Sequence, residues 1–88
     1  MPYEIEFTRA ADKAFSSLPK KVRDRIDVAL DGLEQDPWPA GHKQLKGSKE
    51  VLFRVRVGDY RIVYQVEEER LVVVLIRIGH RREVYRNL

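Results

Sequence analysis

Alternating apolar and polar positions open the chain and predict a short β-strand. Residues 3–7 alternate apolar and charged side chains with a period of two, which is typical of a strand with one buried face. Thr8 follows as the predicted N-cap of a short first helix, whose apolar residues recur on one face as far as Leu18. Pro19 then ends this helix or begins the next one.

The clearest helical pattern in the chain follows Pro19. Apolar residues recur there at intervals of three and four, and together they form one helix face: Val22, Ile26, Ala29, Leu30 and Leu33. The run from Asp36 to Gly41 contains two prolines and a glycine, which interrupt a helix. We therefore expect a loop over residues 35–42.

The rest of the sequence predicts a β-sheet. Residues 43–47 are a candidate edge strand, and residues 51–57 and 60–66 are strands joined by a two-residue connection. The first residue of that connection is a glycine, which supplies the positive φ that tight hairpin turns require. Residues 71–78 are apolar at seven of eight positions, which predicts an interior strand covered on both faces.

The order of these elements predicts an α+β fold. It consists of an N-terminal strand, a two-helix hairpin and a three- to four-stranded antiparallel sheet with both helices packed on one face. Residues 1–88 are expected to form a single domain, because a chain of this length builds one hydrophobic core. The opposite face of the sheet is expected to remain open.

The hairpin register places arginines on that open face. With Gly58 and Asp59 as the loop, Arg56 lies directly opposite Arg61, and Arg54 lies two residues away on the same strand. Like charges opposite one another destabilise a sheet, so we expect an anion between the three guanidinium groups. The planar donor fork of arginine suits phosphate oxygens. A solvated face neutralised by nearby glutamates is the alternative.

The segment from Gly79 to Arg86 combines further candidate groups. His80 has the only side chain among them whose ordinary pKa lies near neutrality, so it could transfer protons, although a lone histidine at a strand end is usually only a polar surface residue. Tyr85 could stack on a base or bind a ribose, or it could pack against the sheet edge.

Charge and composition narrow the functional classes. The net charge is +3, and residues 42–88 carry 11 Lys/Arg against 6 Asp/Glu, which is typical of a polyanion-binding surface. There is no cysteine, and the two histidines are far apart in sequence, so we expect no metal and no cofactor. No apolar run is long enough to span a membrane and no signal peptide is recognised, so the cytoplasm is the expected compartment.

Residues 53–65 (FRVRVGDYRIVYQ) and 78–85 (IGHRREVY) resemble the RelE branch of the RelE/ParE toxin superfamily of type II toxin–antitoxin systems. The N-terminal strand, the helical hairpin and residues 43–47 (KQLKG) are also similar, so the resemblance covers essentially the whole chain. It implies a metal-independent endoribonuclease that cleaves messenger RNA in the ribosomal A site by attack of a 2′-hydroxyl. It also implies a cognate antitoxin that masks the basic face.

The resemblance also implies the catalytic positions Arg54, Arg56, Arg61, Arg81 and Tyr85. His80 is added to them as an acid or base from the chemistry of its side chain rather than from the resemblance. This chain departs from the best-known pattern, which has lysines at positions 54 and 56. Arginine is a poor general base, because its pKa lies above about 12. The alternatives are a ParE-like toxin that inhibits DNA gyrase and a non-catalytic RNA-binding module.

Overall fold

The computed structural model describes residues 2–47 and 49–85, which form two helices and five strands. Their order confirms the predicted sequence of elements. The bounds are β1 (Glu4–Phe7), α1 (Arg9–Ser16), α2 (Lys20–Gln35), β2 (Lys43–Gln44), β3 (Phe53–Val57), β4 (Tyr60–Glu67) and β5 (Val72–His80). Within the described ranges, neither helix is long and apolar enough to cross a membrane.

The two helices begin where the sequence predicts. Thr8 is the N-cap of α1, and its Oγ1 accepts a hydrogen bond from the backbone N–H of Ala11 at 3.2 Å. The same hydroxyl lies 3.3 Å from the carbonyl oxygen of Ile76, to which it donates, so the cap also attaches α1 to β5. Pro19 immediately precedes α2, a position at which the fixed φ of proline is compatible with a helix.

The sheet has the strand order β1-β5-β4-β3-β2, and it is mixed rather than wholly antiparallel. The predicted antiparallel sheet is confirmed for the four strands β2 to β5; the prediction did not place the N-terminal strand β1, which joins this sheet as a fifth strand and pairs in parallel with β5. Glu4 pairs with Val72, a partner far away in the chain. Local alternation predicts that such a segment is a strand but carries no information about its neighbour.

The main core lies between the helices and one face of the sheet. Its buried residues come from both helices and from β3, β4 and β5: Ala11, Ile26, Leu30, Leu33, Val55, Ile62, Tyr64, Val73, Leu75 and Ile78. The apolar face predicted for the second helix is therefore confirmed. Tyr64 is fully buried there, and its hydroxyl donates to the carbonyl oxygen of Pro37 at 2.6 Å. This bond attaches the loop after α2 to the centre of the sheet.

A second, smaller cluster lies on the opposite face. It consists of buried Leu52, Val63 and Val84, with Leu45 and Ile76 packed against them. The expectation of a fully open face is therefore only partly met, because the loop before β3 and the segment after β5 cover one part of that face. The part next to the β3–β4 turn remains accessible, and this is where the basic residues lie.

A β-bulge interrupts the pairing of β4 with β5. Val63 pairs with Arg77 and the next residue, Tyr64, pairs with Leu75, so Ile76 is an extra residue in β5. The extra residue lets Leu75 and Ile78 both face the main core, although three positions separate them. It leaves Arg77 on the face opposite the helices, as its partner Val63 is.

Candidate nucleic-acid interface at the hairpin end of the sheet

The hairpin between β3 and β4 has the predicted register. Val57 pairs with Tyr60 and Arg56 pairs with Arg61, so the two connecting residues are Gly58 and Asp59. Gly58 has φ of 60°, the left-handed conformation for which glycine was expected. Arg56 and Arg61 therefore lie side by side on the face opposite the helices, at the end of the sheet.

The guanidinium of Arg61 is directed towards the turn. Its Nη1 donates to the carbonyl oxygens of Gly58 and Tyr60, each at 3.0 Å, and the side chain is half-buried. These bonds restrict the orientation of the group while leaving its other N–H donors for an external acceptor. Arg56 beside it is exposed. Two cations thus lie together on the accessible part of this face.

Arg54 lies on the same face of β3, but its side chain is only 7% exposed. Its Nη1 lies 3.5 Å from the carbonyl oxygen of Gly41, to which it donates, so it turns towards the edge of the sheet. The guanidinium groups of Arg54 and Arg61 are therefore bonded to different parts of the backbone. The register brings Arg56 and Arg61 together, whereas the guanidinium of Arg54 turns away from Arg61 towards Gly41 at the edge of the sheet.

The segment after β5 folds back to the same end of the sheet. The backbone N–H of Arg81 donates to the carbonyl oxygen of Asp59 at 2.8 Å, and those of Glu83 and Val84 donate to His80 at 2.9 and 3.0 Å. Val84 is 4% exposed and anchors this turn in the smaller cluster. The exposed Arg81 is thereby held next to the hairpin.

Tyr85 is the last residue that the structure describes, and it is 40% exposed. Its ring is therefore accessible to a partner, as a base-stacking role would require. Arg86, the final residue of the predicted basic segment, lies outside the described residues.

His80 lies on the other side of the sheet from Arg61. It pairs with Tyr60, and their rings make an edge-on contact with centroids 5.7 Å apart. Cross-strand partners share a face, and the face of Tyr60 is the one that the helices cover. The Nδ1 of His80 lies 3.3 Å from the backbone N–H of Arg82, which donates to it. The structure does not place the imidazole with the arginines of the opposite face.

Sequence reasoning missed two arginines near this site. Arg25 of α2 approaches the turn: a Cβ built on Gly58 would lie 3.0 and 3.2 Å from its two Nη atoms. Arg77 directly follows the bulge residue Ile76 in β5, and it is the one polar residue of the predicted strand 71–78. That exception was a usable signal for Arg77. No sequence pattern relates Arg25 to a turn 33 positions later in the chain.

A groove of about 480 Å³ lies beside this site, along the outer edge of β3. Since β2 pairs only with Phe53 and Arg54, the rest of β3 borders the groove. One wall is apolar and comes from α2, and the other carries cations. The lining residues are Ala29, Gly32, Leu33, Pro39, Ala40, Gly41, Lys43, Arg54, Val55 and Arg56. Such a lining suits an amphipathic segment with acidic side chains.

The family model described as "ParE toxin of type II toxin-antitoxin system, parDE" matches residues 5–85. The chain belongs to this family of type II toxins. It is 32% identical to Toxin RelG of Mycobacterium tuberculosis, over 98% of this chain and 99% of that protein. It is 33% identical to the mRNA interferase toxin RelE of Escherichia coli, over 97% of this chain and 92% of that protein.

Solved structures agree with this assignment. The toxin–antitoxin complex of archaeal RelE and RelB from Pyrococcus horikoshii contains a chain that superposes with a TM-score of 0.79 at 31% identity. That superposition covers 96% of this chain and 100% of the other. The RelE-like fold predicted from the sequence is thereby confirmed.

Proposed function

We propose that this chain is the toxin of a type II toxin–antitoxin pair and that it cleaves messenger RNA in the ribosomal A site. The observation that carries the proposal is the side-by-side placement of Arg56 and Arg61 next to the exposed Arg81. Three cations at one accessible end of a sheet suit a phosphodiester. The named RelE relatives, which include mRNA interferases, support the choice of substrate.

The proposed reaction is a transesterification within the RNA that requires no metal. The 2′-oxygen forms a bond to the adjacent phosphorus while the bond from phosphorus to the 5′-oxygen breaks. The 2′-hydroxyl loses one proton and the 5′-oxygen gains one. The products are a 2′,3′-cyclic phosphate and a 5′-hydroxyl. Negative charge accumulates on the non-bridging oxygens in the transition state, and cations fixed beforehand stabilise it.

Each side chain has a proposed role that fits its position. Arg56 and Arg61 stabilise the charge on the phosphate, Arg81 stabilises the leaving oxygen, and Tyr85 orients the nucleotide. Arg54 contributes positive potential from its buried position rather than by contact. We do not place His80 at the scissile phosphate, because its ring lies on the helix-covered side.

Substitution of a single 2′-hydroxyl tests this mechanism. Ribosomes stalled with a defined codon in the A site are incubated with the toxin, using all-ribose mRNA or mRNA with one 2′-deoxynucleotide at the cut position. The all-ribose transcript should yield a cyclic phosphate end, and the deoxy transcript should remain intact. Cleavage of both transcripts would refute 2′-hydroxyl attack. If neither is cut while RNA binding falls steeply with salt, the chain is a non-catalytic binding module.

The partner is proposed to be a cognate antitoxin, since the archaeal RelE chain described above comes from a complex with RelB. The groove beside β3 suits an amphipathic, acidic segment of such a protein, because its walls combine apolar α2 residues with Lys43 and Arg56. Bound there, the antitoxin would reach the basic end of the sheet and neutralise it. We also propose that residues 1–88 act as a single toxin domain in the cytoplasm, where ribosomes and antitoxin meet.

The alternative is inhibition of DNA gyrase, and the description of the matching family favours it, because that description names the parDE system. The two activities are separable with one preparation of the protein. DNA supercoiling by gyrase is measured in parallel with A-site cleavage. Loss of supercoiling without any transcript cleavage would replace the ribonuclease proposal.

A further inference from the structure

The β3–β4 turn has a cation on each of its sides. On one side Arg61 donates to the carbonyl oxygen of Gly58. On the other side the guanidinium of Arg25 lies against the same residue, within 3.0–3.3 Å of the position of a Cβ built on it. Gly58 has no side chain, so this close approach of Arg25 is possible. The positive charge at the end of the sheet therefore continues around the turn to the helix side.

Arg25 is exposed and has no carboxylate partner among residues 2–47 and 49–85. Asp24, which precedes it in the sequence, is paired with Lys20 at 3.0 Å. An exposed guanidinium without a carboxylate partner keeps its N–H donors for an external anion. The turn against which it lies is fixed by the hydrogen bond from the backbone N–H of Arg81 to the carbonyl oxygen of Asp59.

His80 supplies a second donor on the same side of the turn. Its ring contacts that of Tyr60, and its Nδ1 accepts the N–H of Arg82 at 3.3 Å. An imidazole whose Nδ1 accepts a hydrogen bond has its N–H donor at Nε2. The Nε2–H group is then the donor left for a ligand.

We propose that Arg25 and His80 form a second RNA phosphate site on the helix side of the hairpin turn. The proposal rests on the ribonuclease function proposed above. The scissile phosphate lies against Arg56 and Arg61, and the RNA backbone continues past Gly58 and Asp59. A neighbouring phosphate then binds the Arg25 guanidinium and the Nε2–H of His80. The site recognises backbone rather than base and extends the footprint without adding sequence preference.

Salt dependence of binding measures this contact directly. A short 2′-O-methyl oligoribonucleotide, which cannot be cleaved, is titrated with the full chain at several salt concentrations. Each phosphate contact on a single strand contributes about 0.7 to the slope of log K against log salt. Arg25→Gln, which keeps the side-chain length but removes the charge, should lower the slope by about that amount, and Arg25→Lys should restore it.

Lys49→Gln is the matched control, because Lys49 is exposed and precedes β3, at the strand end opposite the turn. It should leave the slope unchanged, and thermal melts should show all variants folded. His80→Ala should weaken RNA binding further in the Arg25→Lys protein. A wild-type slope for Arg25→Gln overturns the proposal. If antitoxin binding is weakened in the same variant, Arg25 belongs to the protein interface instead.

The two proposals fail in different ways. Binding to the uncleavable RNA does not require catalysis, so absence of A-site cleavage by the wild-type protein refutes the ribonuclease assignment and leaves the slope comparison valid. A normal slope for Arg25→Gln together with wild-type cleavage refutes only the second phosphate site.

Discussion

Two features of the fold favour glycine at position 58: the left-handed backbone of the turn and the close approach of a side chain from α2. The φ of Gly58 is 60°, which is left-handed, and the guanidinium of Arg25 lies beside its Cα. The left-handed φ follows from the two-residue hairpin connection, so the sequence predicts it. The approach of Arg25 depends on the distance between α2 and the turn, which the sequence does not predict. Arg25 is exposed and its end can shift, so the backbone conformation determines the stability cost of substitution.

The stability of Gly58 variants should therefore follow the preference of each residue for left-handed φ. Gly58→Ala should lower the free energy of unfolding by about 1–2 kcal/mol, the cost of a left-handed Cβ. Gly58→Asn should cost less, because asparagine tolerates this region and both side chains displace Arg25 alike. Urea unfolding of the three proteins measures the difference. Equal losses for alanine and asparagine would show that the contact with Arg25, rather than φ, is limiting.

Tyr64 is the residue whose titration the fold perturbs most clearly. Burial raises the pKa of its hydroxyl above the ordinary value of 10.0, and the negative charge of Asp36 raises it further. The buried hydroxyl donates to Pro37, so a phenolate there would lose this bond as well as its solvation.

Two consequences follow for Tyr64→Phe. At neutral pH the variant should be less stable by about 1–3 kcal/mol, because the Pro37 carbonyl loses its buried donor. Since the folded pKa is the higher one, the contribution of Tyr64 is fully present below pH 10 and declines as pH rises above that value. The difference between wild type and variant, measured by urea unfolding from pH 7 to 11, should shrink above pH 10. A constant difference over this range would contradict the burial argument.

At the scale of elements, the turn after β5 connects the smaller core to the site. Val84 packs with Leu52 and Val63, whereas the neighbouring Arg81 and Tyr85 are exposed. Packing of one apolar side chain thus positions two candidate functional residues. Without that anchor, the described part of this turn is held by its hydrogen bonds to Asp59 and His80.

Val84→Thr should loosen this turn selectively. The variant has almost the same shape but buries a hydroxyl, at a cost of about 1–3 kcal/mol. Hydrogen exchange of the Glu83 and Val84 amides should accelerate, while that of the buried Ile62 amide should remain slow, and RNA cleavage should fall. Uniform acceleration across the chain would instead show that the smaller cluster supports the whole fold.

Sequence patterns predicted the helices and strands better than they predicted which strands pair with one another. The hairpin register was correct because a two-residue connection with glycine fixes it locally, and α2 was correct because its apolar period is long and regular. The parallel pairing of β1 with β5 was not predictable, since it depends on distant partners. The bulge at Ile76 was hidden because neighbouring apolar residues obscure a break in alternation.

The same distinction applies to the candidate site. Register predicted that Arg56 and Arg61 are neighbours, but it could not predict that Arg54 turns towards Gly41. The position of His80 followed from its pairing with Tyr60, which joins two strands whose alignment depends on the bulge. Contacts set by one short turn were thus predictable, and contacts set by packing were not.

For the whole molecule, the distribution of charge links the two proposed partners. The C-terminal half carries the excess of Lys/Arg, and the fold gathers part of it at one end of the sheet, beside an apolar groove. An RNA and an acidic antitoxin would therefore compete for the same positive potential. On this proposal, one positively charged surface would serve both RNA binding and neutralisation by the antitoxin.

The account depends on Arg61 more than on any other side chain, and the rate of A-site cleavage tests it directly. Single-turnover cleavage on stalled ribosomes is compared for wild type, Arg61→Ala and Arg70→Ala, a control arginine in the turn between β4 and β5. Arg61→Ala should be slower by about 10²–10³-fold, the usual cost of removing one preorganised donor from a transition state. Arg70→Ala should cleave at the wild-type rate. A rate for Arg61→Ala within tenfold of wild type, or an equal loss in both variants, would contradict the proposed active site.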